Sequence, residues 1–458
     1  MKSIKYANTG YGPRLCVLDI GLKDKVAVVE PEIAFWALIN KEDIDDALSG
    51  DLIPEIESRR DEFKKEMEYL RFGLKPSAVY FNPTERCNFN CTYCYLPEDM
   101  RRDGKSMSKD EVFNALKILK EYFYDDLKIK GTRPQIIFHG SEPLVAKDSI
   151  FPAIEEFSSD FFFGIQTNGT LLEKEDISFL KDNNVGIGIS LDAPFQELAD
   201  KTRKNWSGKG AFSKIVNIID ELNSYPGFNV ISTVTKVNVG SLPAMIDFCR
   251  EHSIHMVMFN PVRCTQKGGQ DLKPDDGELT SSFLTALDRV YEIYEKTGNR
   301  IIVTNFTNIL AGIIGPTTRR LMCDISPCGA GRCFFALSAH GGLFPCSEFI
   351  GFSEFKGGDL FHDKLSEALE SDPFEKVTNR KVEDIVPCAT CAIRHFCGAP
   401  CPAEVRSFYG SLNAPSPYCN FYEELIRYAF RLIATERHEA YLWDDWEDET
   451  TESFRVVM

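Results

Sequence analysis

Short apolar runs alternate with helix-period segments through the middle of the chain, and this alternation constrains the fold more than any other feature. The six runs have the length and the β-branched and aromatic content of buried strands. They lie at 78–83, 135–140, 162–169, 185–192, 229–235 and 255–262. Helical spacing of apolar residues appears between them at 110–124, 173–183, 212–224 and 239–252. Six successive βα units predict parallel strands with crossover helices, either as an open partial (β/α)6 barrel or as a doubly wound sheet.

Polar residues gather where four of these predicted strands end. Cys87 follows the first strand, and the next three strands end in His139 to Pro143, Thr167 to Gly169 and Ser190 to Asp192. In parallel folds of this kind, chemistry collects at the carboxyl ends of the strands. Four polar clusters on one rim therefore indicate a functional mouth rather than ordinary polar loops.

The fifteen cysteines are distributed unevenly. Three lie within eight residues at Cys87, Cys91 and Cys94, and nine more crowd between Cys323 and Cys419. Clustered cysteines in a long chain without an export signal more often hold metal or perform redox chemistry than form disulfides. The remaining three, Cys16, Cys249 and Cys264, stand apart, and we expect them to be small buried core residues.

Composition and charge narrow the functional classes. With 52 basic and 69 acidic residues, the formal charge is −17, which argues against a nucleic-acid groove because phosphate binding requires clustered Lys and Arg. No apolar run is long enough for a transmembrane helix, and the opening residues contain no apolar core of a signal peptide. We therefore expect a cytoplasmic protein with no nucleic-acid or membrane partner.

The motif Cys87-x3-Cys91-x2-Cys94 follows the first predicted strand directly. Three thiolates on one short loop can hold three irons of a [4Fe–4S] cubane and leave the fourth iron without a protein ligand. A structural zinc would require a fourth ligand, and no further Cys or His lies nearby in sequence. The motif predicts a redox-active cluster whose open iron binds a substrate or cofactor.

The segment CNFNCTYC resembles the cluster loop of the radical S-adenosylmethionine (radical SAM) superfamily, and HGSEP resembles its GGEP-type motif. The resemblance covers about residues 78–265 and implies a partial (β/α)6 barrel. It also implies that S-adenosylmethionine chelates the open iron and is cleaved to a 5′-deoxyadenosyl radical, which abstracts a substrate hydrogen. Glu142 would accept from the cofactor's ammonium, Ser190 and Arg203 would hold its carboxylate or ribose, and Tyr93 would lie near the adenine. The other residues implied at the cofactor are Gly140, Ser141, Thr167, Asn168 and Asp192.

The C-terminal cysteines resemble the SPASM domain of peptide- and protein-modifying radical enzymes, which implies two auxiliary [4Fe–4S] clusters. By that resemblance the first would be ligated by Cys328, Cys333, Cys346 and Cys401. The second would be ligated by Cys388, Cys391, Cys397 and Cys419. Cys323 is an alternative that would displace Cys328 or Cys333. A zinc ribbon is the competing interpretation of this segment. With either metal, we expect the segment to need bound metal in order to fold, because it is poor in core residues.

Residues 1–75 read as two short strands followed by three helical stretches, which suits a winged-helix-like adaptor or a cap on the next domain. The order is similar to the peptide-recognition element that precedes many peptide maturases, where a leader peptide adds as a strand to a sheet edge. The predicted domains are this module, a radical SAM barrel at 76–310, a SPASM domain at 311–425, and a C-terminal helix with an acidic tail at 426–458.

Together these resemblances predict an enzyme, an oxidoreductase that crosslinks a ribosomally made precursor peptide, with a thioether most favoured and a carbon–carbon bond as an alternative. Its partners would be a precursor with a leader segment and a low-potential electron donor of the flavodoxin or ferredoxin type.

The first competing prediction is an anaerobic sulfatase maturase making formylglycine. That class places an acidic residue, thought to act as a base, directly after the cysteine that matches Cys346. This chain has Ser347 at that position, so the role of the base is vacant unless Glu348 supplies it. The second is a non-catalytic iron–sulfur carrier or metal-stapled scaffold.

Overall fold

The computed structural model describes residues 5–6, 15–131, 133–444 and 446. The chain begins with a four-stranded antiparallel sheet in the order β1-β2-β3-β4. Its strands are β1 (Lys5–Tyr6), β2 (Cys16–Leu18), β3 (Lys25–Glu30) and β4 (Phe35–Asn40). The first of the three predicted helical stretches, which starts at Pro31, was wrong, because residues 35–40 form β4 and pair along the whole strand with β3. Four strands are therefore followed by helices at 44–46 and 53–68, where the winged-helix prediction had two strands and three helical stretches.

The small sheet packs on the C-terminal part of the chain. The Trp36 indole donates to the carbonyl of Ile313 at 2.7 Å, and its ring meets Phe430 edge-on. Arg431 Nε donates to the carbonyl of Ile20 at 2.9 Å. These tertiary contacts explain the failed helix prediction, because β4 is fixed by its neighbours rather than by its own periodicity.

The second sheet has ten strands, in the order β11-β10-β9-β8-β7-β6-β5-β12-β13-β14. The strands are β5 (Ala78–Phe81), β6 (Gln135–Phe138), β7 (Phe162–Thr167), β8 (Gly186–Ser190), β9 (Phe228–Val234), β10 (Met256–Pro261), β11 (Ile302–Val303), β12 (Phe334–Leu337), β13 (Gly342–Phe344) and β14 (Gly358–Asp359). Every pair of neighbouring strands from β12 through β5 to β11 is parallel. Strand β13 pairs antiparallel with β12 on one side and with β14 on the other.

The α-helices connect these strands and cover the sheet. They are α1 (Ile44–Asp46), α2 (Ile53–Glu68), α3 (Glu98–Asp103), α4 (Lys109–Glu121), α5 (Lys147–Phe157), α6 (Lys174–Asp182), α7 (Gln196–Thr202), α8 (Phe212–Leu222), α9 (Leu242–Glu251), α10 (Lys267–Asp271), α11 (Asp276–Thr297), α12 (Thr304–Ile314), α13 (Leu365–Leu369), α14 (Asp372–Thr378), α15 (Arg394–Cys397), α16 (Pro402–Tyr409) and α17 (Cys419–Ala434). Local sequence sets some of their ends. Ser108 and Glu111 form a capping box at the start of α4, and Gly298 ends α11 in the left-handed conformation.

All six predicted βα strands are present, and their order decides between the two predicted architectures. Strands β5 to β10 follow one another across the sheet in sequence order. A doubly wound sheet reverses its strand order at a switch point, whereas successive crossovers in one direction curl the sheet into a barrel. The structure is therefore the open partial (β/α)6 barrel.

The cysteine-rich segment is better packed than its composition predicts. Strand β12 lies beside β5 in parallel register, with Phe335 opposite Val79, and so continues the barrel sheet. All four β12 side chains are buried. Cys16, Cys249 and Cys264 are also buried, as predicted for isolated cysteines. The final helix begins at Cys419, slightly before the predicted start, and the predicted acidic tail lies outside the described residues from 447 onward.

Within the described ranges, no helix combines the length and apolarity needed to cross a bilayer.

Replacing Phe335 by alanine tests whether this segment belongs to the barrel core. The side chain is fully buried, so we expect the free energy of unfolding to fall by about 3–5 kcal/mol. Phe195→Ala is the matched control, because Phe195 is 54% exposed and its loss should change stability by less than about 0.5 kcal/mol. Thermal unfolding followed by circular dichroism measures both, and equal midpoints for the two variants would contradict the assignment.

Candidate functional site

A cavity occupies the mouth of the barrel and continues toward the cysteine-rich segment. Its two parts have volumes of about 220 and 190 Å³. The first part lies against the loop Cys87–Cys94, which we call the cluster loop, and the second lies against several C-terminal cysteines. Side chains that line both parts include His139, Gln166, Asn260, Arg263 and Glu348. The two parts therefore adjoin, and these polar side chains form their shared wall.

The cluster loop is held in place through its backbone. Cys87 N–H donates to the carbonyl of Arg101 at 2.9 Å, and the Trp206 indole donates to the carbonyl of Cys87 at 2.8 Å. Thr92 N–H donates to the carbonyl of Thr202 at 3.0 Å. The loop thus lies between α3 on one side and the end of α7 with the segment after it on the other. Cys87, Cys91 and Cys94 all line the cavity.

Burial keeps the three thiols protonated when they have no metal. It raises the pKa of Cys87, Cys91 and Cys94, that of Cys91 to about 11, while the guanidinium of Arg203 opposes the shift at Cys91 and that of Arg101 opposes it at Cys94. Binding of a positively charged metal centre must therefore displace their protons. Such a centre would also relieve the cost of three mutually repelling buried thiolates.

The described residues do not bring together a site for a single metal ion. No group of three or more Cys, His, Asp or Glu side chains in the described part of the chain is close enough to hold one metal ion. Thiolates on one zinc at about 2.3 Å would lie roughly 3.8 Å apart. A cubane binds each thiolate to a different iron and so needs wider spacing, which agrees with three cysteines that line one cavity and influence each other electrostatically.

Glu142 is fully buried at the end of β6 and is fixed by three donors. It accepts from the Thr167 hydroxyl at 2.6 Å, from Asn168 N–H at 2.8 Å and from Leu144 N–H at 3.1 Å. Burial raises the pKa of the carboxyl, and these hydrogen bonds oppose the shift. One acceptor position remains on Oε2, and the side chain lines the cavity beside Cys87.

The two residues before Glu142 serve the geometry of the turn. Gly140 has φ +103°, and a Cβ there would lie 2.1 Å from Asn82 Nδ2, so only glycine fits. Ser141 Oγ donates to the carbonyl of Glu85 at 2.6 Å. Both residues line the cavity.

Tyr93, Asp192 and Arg203 form a buried polar triad. The Tyr93 hydroxyl donates to Asp192 Oδ2 at 2.5 Å and accepts from Arg203 Nη1 at 2.6 Å. Asp192 does not line the cavity and instead anchors Tyr93 and Arg203 from behind. The predicted cofactor residues that do line it are Tyr93, Gly140, Ser141, Glu142, Thr167, Asn168, Ser190 and Arg203.

Four C-terminal cysteines line the second part of the cavity: Cys323, Cys328, Cys346 and Cys401. We call them the first auxiliary set. Cys333 is absent from this lining and is fully buried in the apolar core. The structure thus gathers Cys323, which the sequence left as an alternative, with three of the four predicted ligands and sets Cys333 apart.

The second auxiliary set consists of Cys388, Cys391, Cys397 and Cys419. Burial raises the pKa of all four thiols, and repulsion from other cysteines of the set adds to the shift at Cys388, Cys397 and Cys419. This mutual influence is expected for cysteines that converge. Cys419 is exposed. Cys323 of the first auxiliary set is exposed as well, whereas Cys328 of that set is buried.

Three further groups lie on the cavity wall, of which the sequence named Glu348 only as an alternative base and His139 only as part of a polar cluster at a strand end. Burial raises the pKa of Glu348 to about 7, opposed by the Arg263 guanidinium, whose Nε lies 3.9 Å from Glu348 Oε1. Arg263 Nη1 also lies 3.8 Å from the buried Glu404 Oε2. Burial lowers the pKa of His139 to about 4, so this ring is neutral near pH 7. Nothing in the local sequence marks Arg263, whereas His139 stands beside a recognised motif.

Comparisons with known proteins agree with this geometry. The model of the Radical SAM superfamily matches residues 81–249. A relative from Archaeoglobus fulgidus, named only as an uncharacterized protein, is 41% identical over 416 residues, which cover 91% of this chain and 94% of that protein. A cysteine-type anaerobic sulfatase-maturating enzyme from Clostridium novyi is 23% identical over 81% of this chain and 100% of its own length.

Two solved structures share the fold. The native anSMEcpe structure with bound AdoMet aligns with a TM-score of 0.69 at 22% identity, covering 80% of this chain and 100% of that chain. Streptococcus suis SuiB bound to its precursor peptide SuiA aligns with a TM-score of 0.56 at 14% identity, covering 86% and 96%. At these identities the likeness establishes the fold.

Serine substitutions can decide which cysteine completes the first auxiliary set. Because Cys323 faces the cavity and Cys333 packs in the core, we expect Cys323→Ser to lose the iron of one cluster after anaerobic reconstitution, and Cys333→Ser to retain it. Iron and sulfide analysis with the absorbance of the reconstituted protein measures this. The reverse pattern would show that Cys333 is the ligand.

Proposed function

We propose that this chain, which belongs to the radical SAM superfamily, is a maturase that crosslinks a ribosomally made peptide, most favourably through a thioether. The observation that carries the proposal is that the part of the cavity at the cluster loop and the part at the first auxiliary set adjoin and share wall residues. A peptide side chain in this cavity would lie between the two cysteine sets and against Arg263 and Glu348. The peptide-bound state of SuiB, which has the same fold, supports a peptide as the substrate class.

The cysteines would hold three iron–sulfur clusters. Cys87, Cys91 and Cys94 fit the catalytic cluster with an open iron. Cys323, Cys328, Cys346 and Cys401 fit the first auxiliary cluster with four ligands, and the second auxiliary set fits the other. When bound, the catalytic cluster and S-adenosylmethionine supply the one-electron chemistry that removes a hydrogen atom from a substrate carbon. A low-potential donor protein would provide the electron.

The cavity residues would orient the cofactor and substrate. The remaining acceptor position of Glu142 suits the ammonium of S-adenosylmethionine, and the unpartnered Nε of Arg203 suits its carboxylate. No group among the described residues donates a hydrogen bond to Glu348 Oε2, so this atom can accept a proton from the substrate's thiol, hydroxyl or amine. Arg263 stabilises the carboxylate form of Glu348 and holds it toward the cavity.

Sulfatase maturation is a second candidate, favoured by the placement of Glu348. The acidic position directly after Cys346 is occupied by Ser347, but Glu348 faces the same cavity two residues after that cysteine. A carboxylate is therefore available for the proton transfer that formylglycine formation needs. Sulfatase-maturating enzymes also occur among the relatives at 23–27% identity. The two candidates differ in product, not in the first hydrogen abstraction.

A leader segment would bind at the edge of the small sheet. Strand β4 pairs with β3 on one side and, within the described residues, with no strand on the other. An extended peptide can add to such an edge through main-chain hydrogen bonds. This placement keeps the recognition module of the sequence-based prediction but assigns it to a strand meander.

Anaerobic incubation with S-adenosylmethionine, a reductant and a cysteine-containing precursor tests the function. We expect 5′-deoxyadenosine and a peptide that has lost two hydrogens and resists alkylation of the cysteine. Tandem mass spectrometry locates the bond. An aldehyde that reacts with a hydrazide probe on a sulfatase peptide would instead support the second candidate. If neither the crosslinked peptide nor the aldehyde forms although the clusters are intact, both candidate functions are refuted.

Two variants separate the steps of this assay. Cys91→Ala should abolish 5′-deoxyadenosine formation while the absorbance of the auxiliary clusters remains. Glu348→Gln should still form 5′-deoxyadenosine but lower product formation by about 10²-fold, because the proton acceptor is lost. Unchanged product formation in Glu348→Gln would remove Glu348 from the mechanism.

Proline substitutions test leader binding at β4. Successive amides of an edge strand point alternately toward and away from the neighbouring strand, so either Ala37→Pro or Leu38→Pro removes an outward donor. We expect at least one of them to weaken binding of a fluorescent leader peptide about tenfold, or about 1.4 kcal/mol, with unchanged 5′-deoxyadenosine formation. Wild-type affinity in both variants would exclude this edge.

A further inference from the structure

Arg101 is a buried cation directly behind the cluster loop. It belongs to α3 and is 6% exposed. Its Nε donates to the carbonyl of Leu96 at 3.1 Å, and its Nη1 donates to Asn90 Oδ1 at 2.7 Å. Both acceptors lie in or next to the cluster loop. The guanidinium is therefore fixed in position and lines the same part of the cavity as the three cysteines.

The charge of Arg101 is not balanced by any carboxylate within ion-pair distance in the described part of the chain. Its two side-chain hydrogen bonds go to neutral oxygens. Arg203, the other buried guanidinium at this part of the cavity, lies 3.8 Å from Asp192. A buried cation without a counter-charge is costly. The thiols of Cys91 and Cys94, which line the same part of the cavity, lie within electrostatic range of this guanidinium.

We infer that Arg101 sets the reduction potential of the cluster bound by Cys87, Cys91 and Cys94. The inference rests on the proposed catalytic cluster. A cluster with three thiolates is anionic, and one-electron reduction by the donor makes it more negative by one charge. A fixed positive charge in a low-dielectric interior stabilises the reduced form more than the oxidised form. Arg101 thus raises the potential and makes the cluster easier to reduce, without itself changing in the reaction.

Arg102, the next residue in the chain, provides a control at nearly the same place. The centroid of the Trp206 ring lies 5.7 Å from the guanidinium of Arg101 and 4.9 Å from that of Arg102. Arg102 is exposed, so water screens its charge. The two arginines are adjacent, carry the same charge and touch the same ring, but only Arg101 is buried against the cluster loop.

The experiment is a redox titration of the reconstituted full-length protein, followed by electron paramagnetic resonance. The signal to follow is the one that shifts when S-adenosylmethionine is added, because it marks the cluster with the open iron. In Arg101→Gln we expect the ratio of reduced to oxidised cluster at a fixed potential to fall about tenfold, equivalent to a decrease of about 59 mV for one electron. Arg101→Lys should retain most of the wild-type potential, and Arg102→Gln should retain all of it.

A second variant covers the case in which Arg101→Gln fails to load iron. Asn90→Asp leaves Arg101 in place but puts a carboxylate on its guanidinium, so the potential should fall in the same direction. A wild-type potential in iron-loaded Arg101→Gln or Asn90→Asp would overturn the inference, as would an equal decrease in Arg102→Gln. A wild-type protein without iron or without the S-adenosylmethionine-sensitive signal would instead refute the proposed function.

Discussion

The parallel pairing of β12 with β5 is the constraint on which the rest of the site depends. Strand β5 leads directly into the cluster loop, and β12 and β13 lie within the segment that carries the first auxiliary set. Because the two strands are hydrogen-bonded neighbours, the two cysteine sets line adjoining parts of the cavity rather than separate surfaces. The pairing is also a burial contact, since all four β12 side chains lie in the core. Metal binding is therefore not the only force that folds the C-terminal segment.

The interior charges are arranged around this shared cavity. Arg203 is paired with Asp192, and Arg263 lies between Glu348 and Glu404. Arg101 has hydrogen bonds but, among the described residues, no carboxylate within ion-pair distance. Buried ions are tolerated when their charge is compensated, so this guanidinium at the cluster loop is consistent with an anionic group held there by the three cysteines. Glu348, whose Oε2 accepts no hydrogen bond from the described residues, lies on the wall that a substrate would face.

Much of the barrel and of its mouth follows from local patterns. The six strands are mostly apolar because both faces of a parallel sheet are buried, and Cys87, Glu142 and Thr167 lie at or after the ends of strands that share one rim. Predictions failed where tertiary contacts override local preference. The segment after Pro31 has apolar residues compatible with a helix, but pairing with β3 and the packing of Trp36 on Ile313 and Phe430 make it a strand.

The sequence by itself determined the six parallel strands, the three-cysteine loop and the side chains at the strand ends, because periodicity and short spacing are local properties. The tertiary structure decided the strand order, which makes the sheet a partial barrel, and it decided which distant residues meet. It placed Cys323 rather than Cys333 at the cavity, brought Arg263 against Glu348, and left Arg101 buried with no carboxylate of the described residues within ion-pair distance. These facts depend on contacts between segments far apart in the chain, and the local pattern around each residue carries no record of them.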